Sequence, residues 1–407
     1  MDGVEVSQAK EKRAVIGIVC TMLNGFGARG LYNSQEIGLG KAIAALTLQK
    51  AVIYKAVRQE DVQDIEQVNE DVTIKYIRCP RIGNAHGILD TRQIDTKWKG
   101  ERMNALICFC DQQIFIPHIY HFCEENGIQI LFYTGIIRSN RGGVNAVISD
   151  LLFRLGTKRL YKKVHVAAKT KGVSHELFAI GAGNVPVAPV GMDFSTFHSN
   201  WKEEDREKLR KGFSFEPDDK VALCISRMEK EKHIMDLIPL AIECKQSGNK
   251  IKFLVIGSGR QSEEFRQQIT ANHLEDSVRV IDKIPHDEIW KAYVAADYFI
   301  NLCRDEIFGM AIMEAIYYET PVVAFHAYGP DTILENMDGS RTVGGMSQMV
   351  QFLLGPYPAK ETLSRDARVL TKKFTWTNAA KVMLNLLGIV YYDPAEKPGR
   401  PYIEEAQ

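Results

Sequence analysis

Short apolar runs recur along this chain at strand length, and stretches with helical periodicity fill the spaces between them. In the first half the runs are Ala14 to Cys20, Ala51 to Val57, Val72 to Ile77, Ala105 to Cys110 and Ile128 to Tyr133. In the second half they are Lys220 to Ile225, Lys252 to Ile256, Val278 to Ile281, Tyr298 to Leu302 and Pro321 to Phe325. A strand that is apolar on both faces needs a helix layer above and below it, which is the environment of a parallel sheet. Alternation with helical segments such as Asn33 to Leu48, Ile234 to Lys245 and Glu263 to Ala271 predicts an α/β fold. At 407 residues the chain suits two domains better than one. The polar stretch Phe197 to Asp219 separates the halves. Two doubly wound, Rossmann-like domains are expected, with a linker close to residue 195 and a ligand cleft between them.

Composition narrows the function classes. Lysine plus arginine and aspartate plus glutamate both total 51, so net charge singles out no partner, and no nucleic-acid ligand is expected. Eight cysteines occur, several inside apolar runs and none in a C-x-x-C pair. Small buried hydrophobes in a reducing compartment are the expectation, rather than a metal site or a disulfide frame. The start, Met1 to Arg13, is polar, and no apolar run approaches the length that crosses a bilayer. A cytoplasmic location follows as an expectation.

Open α/β sheets bind ligands beyond the carboxyl ends of their strands, so the loops there carry the chemistry. After the strand ending near Leu302 the chain runs Cys303-Arg-Asp-Glu306-Ile-Phe308-Gly309-Met310-Ala311-Ile-Met-Glu314-Ala315. Gly309 lies where a loop becomes a helix; without a β-carbon it lets a phosphate approach the first helical amides, those of Met310 and Ala311. Glu306 and Glu314 are both expected to face the cleft, where a carboxylate accepts directed hydrogen bonds from sugar hydroxyls. An acid-rich helix start that binds nothing is the alternative. After the strand Lys220 to Ile225 the loop offers Arg227 and Lys232, two cations able to neutralise a diphosphate without a metal. Lys230 reads as a solvated charge.

Taken together these residues resemble the retaining glycosyltransferases of family four, whose two-domain fold is called GT-B. Glu306, Phe308-Gly309, Glu314-Ala315 and Pro321-Val-Val-Ala324 reproduce the family signature in order. Arg227 and Lys232 match its Arg-x-x-x-x-Lys, Val255-Ile-Gly257-Ser-Gly259 its glycine turn, and Pro189-Val-Gly191-Met-Asp193 with Phe197 its crossover. The matches cover most of residues 185 to 325. The resemblance implies that Glu306 contacts the transferred sugar, that Glu314 holds the ribose, and that Gly309, Met310 and Ala311 hold phosphate. Backbone groups around Lys283 and Ile284 are expected to take the base. The implied domains are 1–194 on the acceptor side and 195–375 on the donor side. A tail, 376–407, is expected to pack back on the first.

The first half is less specific. Gly25-Phe-Gly27-Ala-Arg-Gly30 fits G-x-G-x-x-G, which can be a dinucleotide fingerprint with Glu60 or Asp61 as its acid. Its distance from the preceding strand suits instead a loop, with Gly27, that closes over donor phosphates. His118 and His121 form H-x-x-H without further ligands, so structural or cleft-lining histidines are expected there and no metal site. Family members often carry a histidine where this chain has Gly135, and His118 is the substitute contact on the acceptor side. The basic, amphipathic stretch 153–165 can contact an anionic membrane surface or form a solvated face.

The expected activity is transfer of a hexosyl unit from a nucleoside diphosphate sugar, UDP-linked on family frequency, to a carbohydrate, lipid-linked or other hydroxyl acceptor. The anomeric configuration is retained. No D-x-D motif occurs and no cofactor or metal is expected. The alternatives are a non-catalytic adapter subunit of the same fold and a nicotinamide-dependent oxidoreductase using Gly25 to Gly30.

Overall fold

The computed structural model describes residues 14–21, 34–57, 64–82, 86–109, 111–113, 115–137, 151, 153–248 and 251–392. The chain divides into two compact units, Met1–Asp193 with Phe374–Gln407, and Phe194–Lys373.

In the first unit the strands are β1 (Val15–Cys20), β2 (Lys50–Val57), β3 (Ile65–Gln67), β4 (Val72–Arg78), β5 (Glu101–Phe109), β6 (Gln129–Thr134) and β7 (His165–Ala168). They line up as β7-β6-β5-β1-β2-β4-β3, and the two-residue strand Lys97–Trp98 adds to β5. Every neighbour pair on that path is parallel except β3 with β4. All six residues of β1 are buried, as a strand covered on both faces requires. Helices α1 (Gln35–Thr47), α2 (Ile116–Asn126) and α3 (Lys171–Ala179) cover the sheet, and the helix Trp376–Leu386 packs against α1.

The second unit opens with α4 (Glu203–Gly212), inside the stretch that its polarity marked as a separator. Apolar periodicity gives no sign of this helix because arginines fasten it. Arg206 and Arg210, one turn apart, both reach Asp297, at 2.5 and 3.1 Å. Arg210 also donates to the Ala295 carbonyl at 3.1 Å. There follow β8 (Lys220–Ile225), α5 (Leu237–Gln246), β9 (Ile251–Ile256), α6 (Ser262–Ala271), β10 (Val278–Ile281), α7 (Trp290–Ala295) and β11 (Tyr298–Asn301). The unit continues through α8 (Met310–Tyr317), β12 (Val322–Phe325), α9 (Tyr328–Ile333), β13 (Arg341–Val343), α10 (Met346–Leu354) and α11 (Lys360–Lys373). The predicted helix from Ile234 begins as a 3-10 turn, Ile234–Asp236, before α5, because His233 adopts a left-handed backbone with φ of 54°.

All pairs of the second sheet are parallel, in the order β10-β9-β8-β11-β12-β13. The crossovers therefore run outward in both directions from β8. Such a switch point opens a crevice at the carboxyl ends of β8 and β11, where helices leave to opposite sides. Each unit has its own apolar core on its own sheet.

Candidate functional site

The two loops with the chemistry-bearing residues leave the adjacent strands β8 and β11 at that switch point. Glycines shape the first loop. Gly257, after β9, has φ of 145°, and an ideal β-carbon there would lie 1.9 Å from the Ser226 carbonyl oxygen. The glycine lets the two loops lie backbone to backbone: Ser226 N–H donates to Ile256 and Met228 N–H to Ser258, both at 3.0 Å. Arg227 is thereby held outward. Its side chain is 70% exposed, with Glu231 at 3.8 Å.

Lys232 closes the 3-10 turn Lys230–Lys232 and points the other way. Its ammonium donates to Glu306 at 2.8 Å, with both side chains mostly buried. Burial alone would lower the Lys232 ammonium; the Glu306 carboxylate, with Cys303 alongside, offsets this and holds it above its ordinary value. The Cys303 thiol is pushed up to about 11 by burial and by Glu306, so it is neutral and donates to the Glu231 carbonyl at 3.2 Å. The pair thus joins the loop after β8 to the loop after β11.

Gly309, with φ of 101°, caps α8 in a conformation that disfavours any side chain. The first amides of a helix have no acceptor within it, which makes this helix start, at Met310 and Ala311, a place for an anion. Phe308 is buried beneath it. Glu314 is 7% exposed rather than open, and its carboxylate accepts from the buried Tyr293 hydroxyl at 2.7 Å. Ile284, half-buried, follows β10 on the far side of β9. Two supports escaped the sequence. Tyr293 lies in another helix and carries no local signal. Gly329 N–H donates to the Glu306 carbonyl at 3.1 Å, and the Gly329-Pro330 turn could have marked it.

The family model "Glycosyl transferases group 1" matches residues 205–344, the stretch that contains both loops. The whole chain superposes on sucrose-phosphate synthase from Thermosynechococcus elongatus with a TM-score of 0.70 at 15% identity, covering 92% of this chain and 98% of that one. Residues 205–344 thus match the group 1 glycosyl transferases, and the chain has the GT-B fold. The Anabaena protein HepE in complex with UDP-glucose is also similar, with a TM-score of 0.66 and 16% identity over 92% of this chain and 99% of that one. Among curated proteins, alpha-monoglucosyldiacylglycerol synthase from Acholeplasma laidlawii is 23% identical over 53% of this chain and 54% of its own length. The chain spans about half the length of the curated relatives it matches.

Elsewhere in the chain the sequence candidates fare differently. Gly27, with the rest of Gly25 to Gly30, lies outside the described residues. His118 is exposed in the first turn of α2, with the Phe115 ring 5.7 Å away. Among the described residues no three metal-ligating side chains gather. In the basic stretch 153–165, Leu160 and Tyr161 are buried in the first unit's core and Phe153 packs against it, while Leu155 is exposed. No described helix is long and apolar enough to cross a membrane. At the carboxyl ends of β5 and β6, Asp111 is 2% exposed and accepts from the Thr134 and Tyr161 hydroxyls at 2.6 and 2.5 Å. Burial pushes its carboxyl up despite those donors.

Proposed function

We propose that this protein moves a hexosyl unit from a UDP-linked sugar to an acceptor hydroxyl with retention of configuration and without a metal. The observation that carries the reading is the Lys232–Glu306 pair at the switch point, where a cation for phosphate and a carboxylate for hydroxyls come within 2.8 Å. In this reading the diphosphate lies across the start of α8, with Gly309, Met310 and Ala311 beneath it and Arg227 and Lys232 around it. Glu314 holds the ribose, Ile284 the base through backbone groups, and Gly257 keeps the Arg227 loop close.

As the glycosidic bond breaks, negative charge grows on the leaving diphosphate. Fixed cations and helix amides stabilise that charge more than they stabilise the intact donor, which is what lowers a barrier. The departing phosphate oxygen takes the acceptor proton on the face it leaves, so the new bond forms on the same side. Glu306, released from Lys232 by the phosphate, holds the sugar hydroxyls. UDP is favoured by the likeness to HepE, whose structures contain UDP-glucose. A lipid-linked or carbohydrate acceptor is in keeping with the relatives' names. We place the enzyme in the cytoplasm.

A thermal-shift comparison of UDP, GDP and ADP sugars tests the donor, since a ligand that binds the native state raises its stability. UDP-glucose or UDP-N-acetylglucosamine is expected to give the largest shift. Proton NMR of the product then reads the anomeric configuration. Stabilisation by none of the sugar nucleotides would defeat the proposal, and an inverted product would defeat retention.

A further inference from the structure

The last strand of the second sheet, β13, has a free edge, and a cavity of about 420 Å³ runs between that edge and α10. It lies apart from the donor loops, which leave β8, β9 and β11, while its lining comes from residues 326–358. None of the roles assigned to the donor site uses it.

Unspent hydrogen-bonding groups line it. Arg341 lies over the Phe352 ring, 5.1 Å from its centroid, and its guanidinium has no carboxylate or hydrogen-bond acceptor among the described residues. Gln351 is exposed on α10 one residue away, and its carboxamide has no partner within hydrogen-bond distance among the described residues. Gln348 accepts from Gly344 N–H at 2.8 Å, which leaves its NH2 group to the cavity. His326 bonds Asp331 through Nδ1 at 2.7 Å, so Nε2 faces away from that partner.

The chemistry of this wall selects a ligand class. Guanidinium, carboxamide and imidazole groups are planar and offer paired donors and acceptors, the pattern that vicinal hydroxyls satisfy. Arg341 and Asp338, the latter paired with Arg365, stand in the same lining, so both signs of charge are present there. The half-buried Phe352 ring in the lining suits the C–H face of a pyranose ring. The volume is in the range of ordinary ligand pockets, ~300–1,000 Å³, and has room for about one or two such rings. We propose that the β13 edge cavity is a second saccharide-binding site, taking a neutral oligosaccharide through Arg341, Gln351 and Gln348 independently of the donor loops.

The test uses the full chain saturated with UDP, so that the donor loops are occupied. Maltotriose, cellotriose and chitotriose are titrated separately and binding is read by saturation-transfer NMR. At least one is expected to bind in the millimolar range. Arg341→Ala and Gln351→Ala, both surface changes, are each expected to weaken it about tenfold while UDP binding stays unchanged. The inference fails if no saccharide binds, if binding is indifferent to both variants, or if inorganic phosphate occupies the site in preference to the sugars. Loss of UDP binding by the unmodified protein would instead defeat the donor assignment, and the saccharide titration would still be decided on its own variants.

Discussion

The two units are built on the same plan, yet the carboxyl ends of their strands are used in opposite ways. In the second unit the polar groups at β8 and β11 are partly open: Arg227 is 70% exposed, and Lys232 and Glu306 pair with each other at 2.8 Å. Among the described residues of the first unit, polar groups near the carboxyl ends of the strands are closed in. Asp111 is buried with Thr134 and Tyr161, and Glu36 and Lys55 form a buried pair at 2.9 Å. A group that is exposed, or paired with a partner it can exchange, can receive a ligand. A buried group whose bonds are all internal holds the fold together. In the proposed reading, the difference separates donor chemistry from architecture within one topology.

Substitutions can break that contrast, and the largest effect belongs to the open site. Glu306→Ala is expected to lower turnover by about 10²–10³-fold, the usual loss when one preorganised polar group leaves a reacting centre. Its effect on UDP affinity is expected to be small, since a carboxylate aimed at the sugar adds little for the nucleotide. Arg227→Ala should weaken UDP binding and turnover together. Steady-state kinetics with UDP titration distinguish these patterns; unchanged transfer in both variants would show that the switch-point loops do not carry the reaction.

Next in size is the closed network. Asp111→Ala leaves two buried hydroxyls without an acceptor, at a cost of about 2–3 kcal/mol. In a unit of this size that corresponds to a fall of about 5–10 °C in apparent melting temperature. Asp111→Asn should cost less, because burial already holds the carboxyl towards its neutral form and the amide oxygen can still accept. UDP affinity is expected to stay the same in both. A loss of UDP binding without a loss of stability would place Asp111 on the functional side of the comparison.

The contrast also explains what could be read beforehand. The long buried strands were legible because a parallel sheet demands apolar residues on both faces, as all six positions of β1 show. Strand β13 was not, since three residues carry too little pattern, and β7 was hidden behind a basic stretch. Helix α4 has charged residues where a stripe should be, and its anchor Asp297 stands far along the chain. In the proposed site, Glu306, Arg227 and Lys232 stand in loops at strand ends, where candidate chemistry keeps its sequence order. Tyr293, which holds Glu314, could not: a side chain that supports another across 21 positions leaves no local trace.

The smallest expected effect is a pH dependence that is absent over most of the range. Lys232 has a folded-state value above its ordinary one, so the stability it contributes is fully present below the ordinary value of ~10.4 and is lost as pH rises through the raised value. UDP binding should therefore be flat between about pH 7 and pH 9, with Lys232 charged throughout and no neighbouring thiolate, since the Cys303 thiol stands at about 11. Had burial prevailed over Glu306, the ammonium would have titrated within that window. In Glu306→Ala the offsetting carboxylate is gone while the burial remains. Lys232 should then fall towards or below its ordinary value, and an alkaline loss of UDP affinity should move to lower pH. Calorimetric titration of both proteins at several pH values reads the shift, and identical profiles would mean that the 2.8 Å pair does not set the charge of the loop.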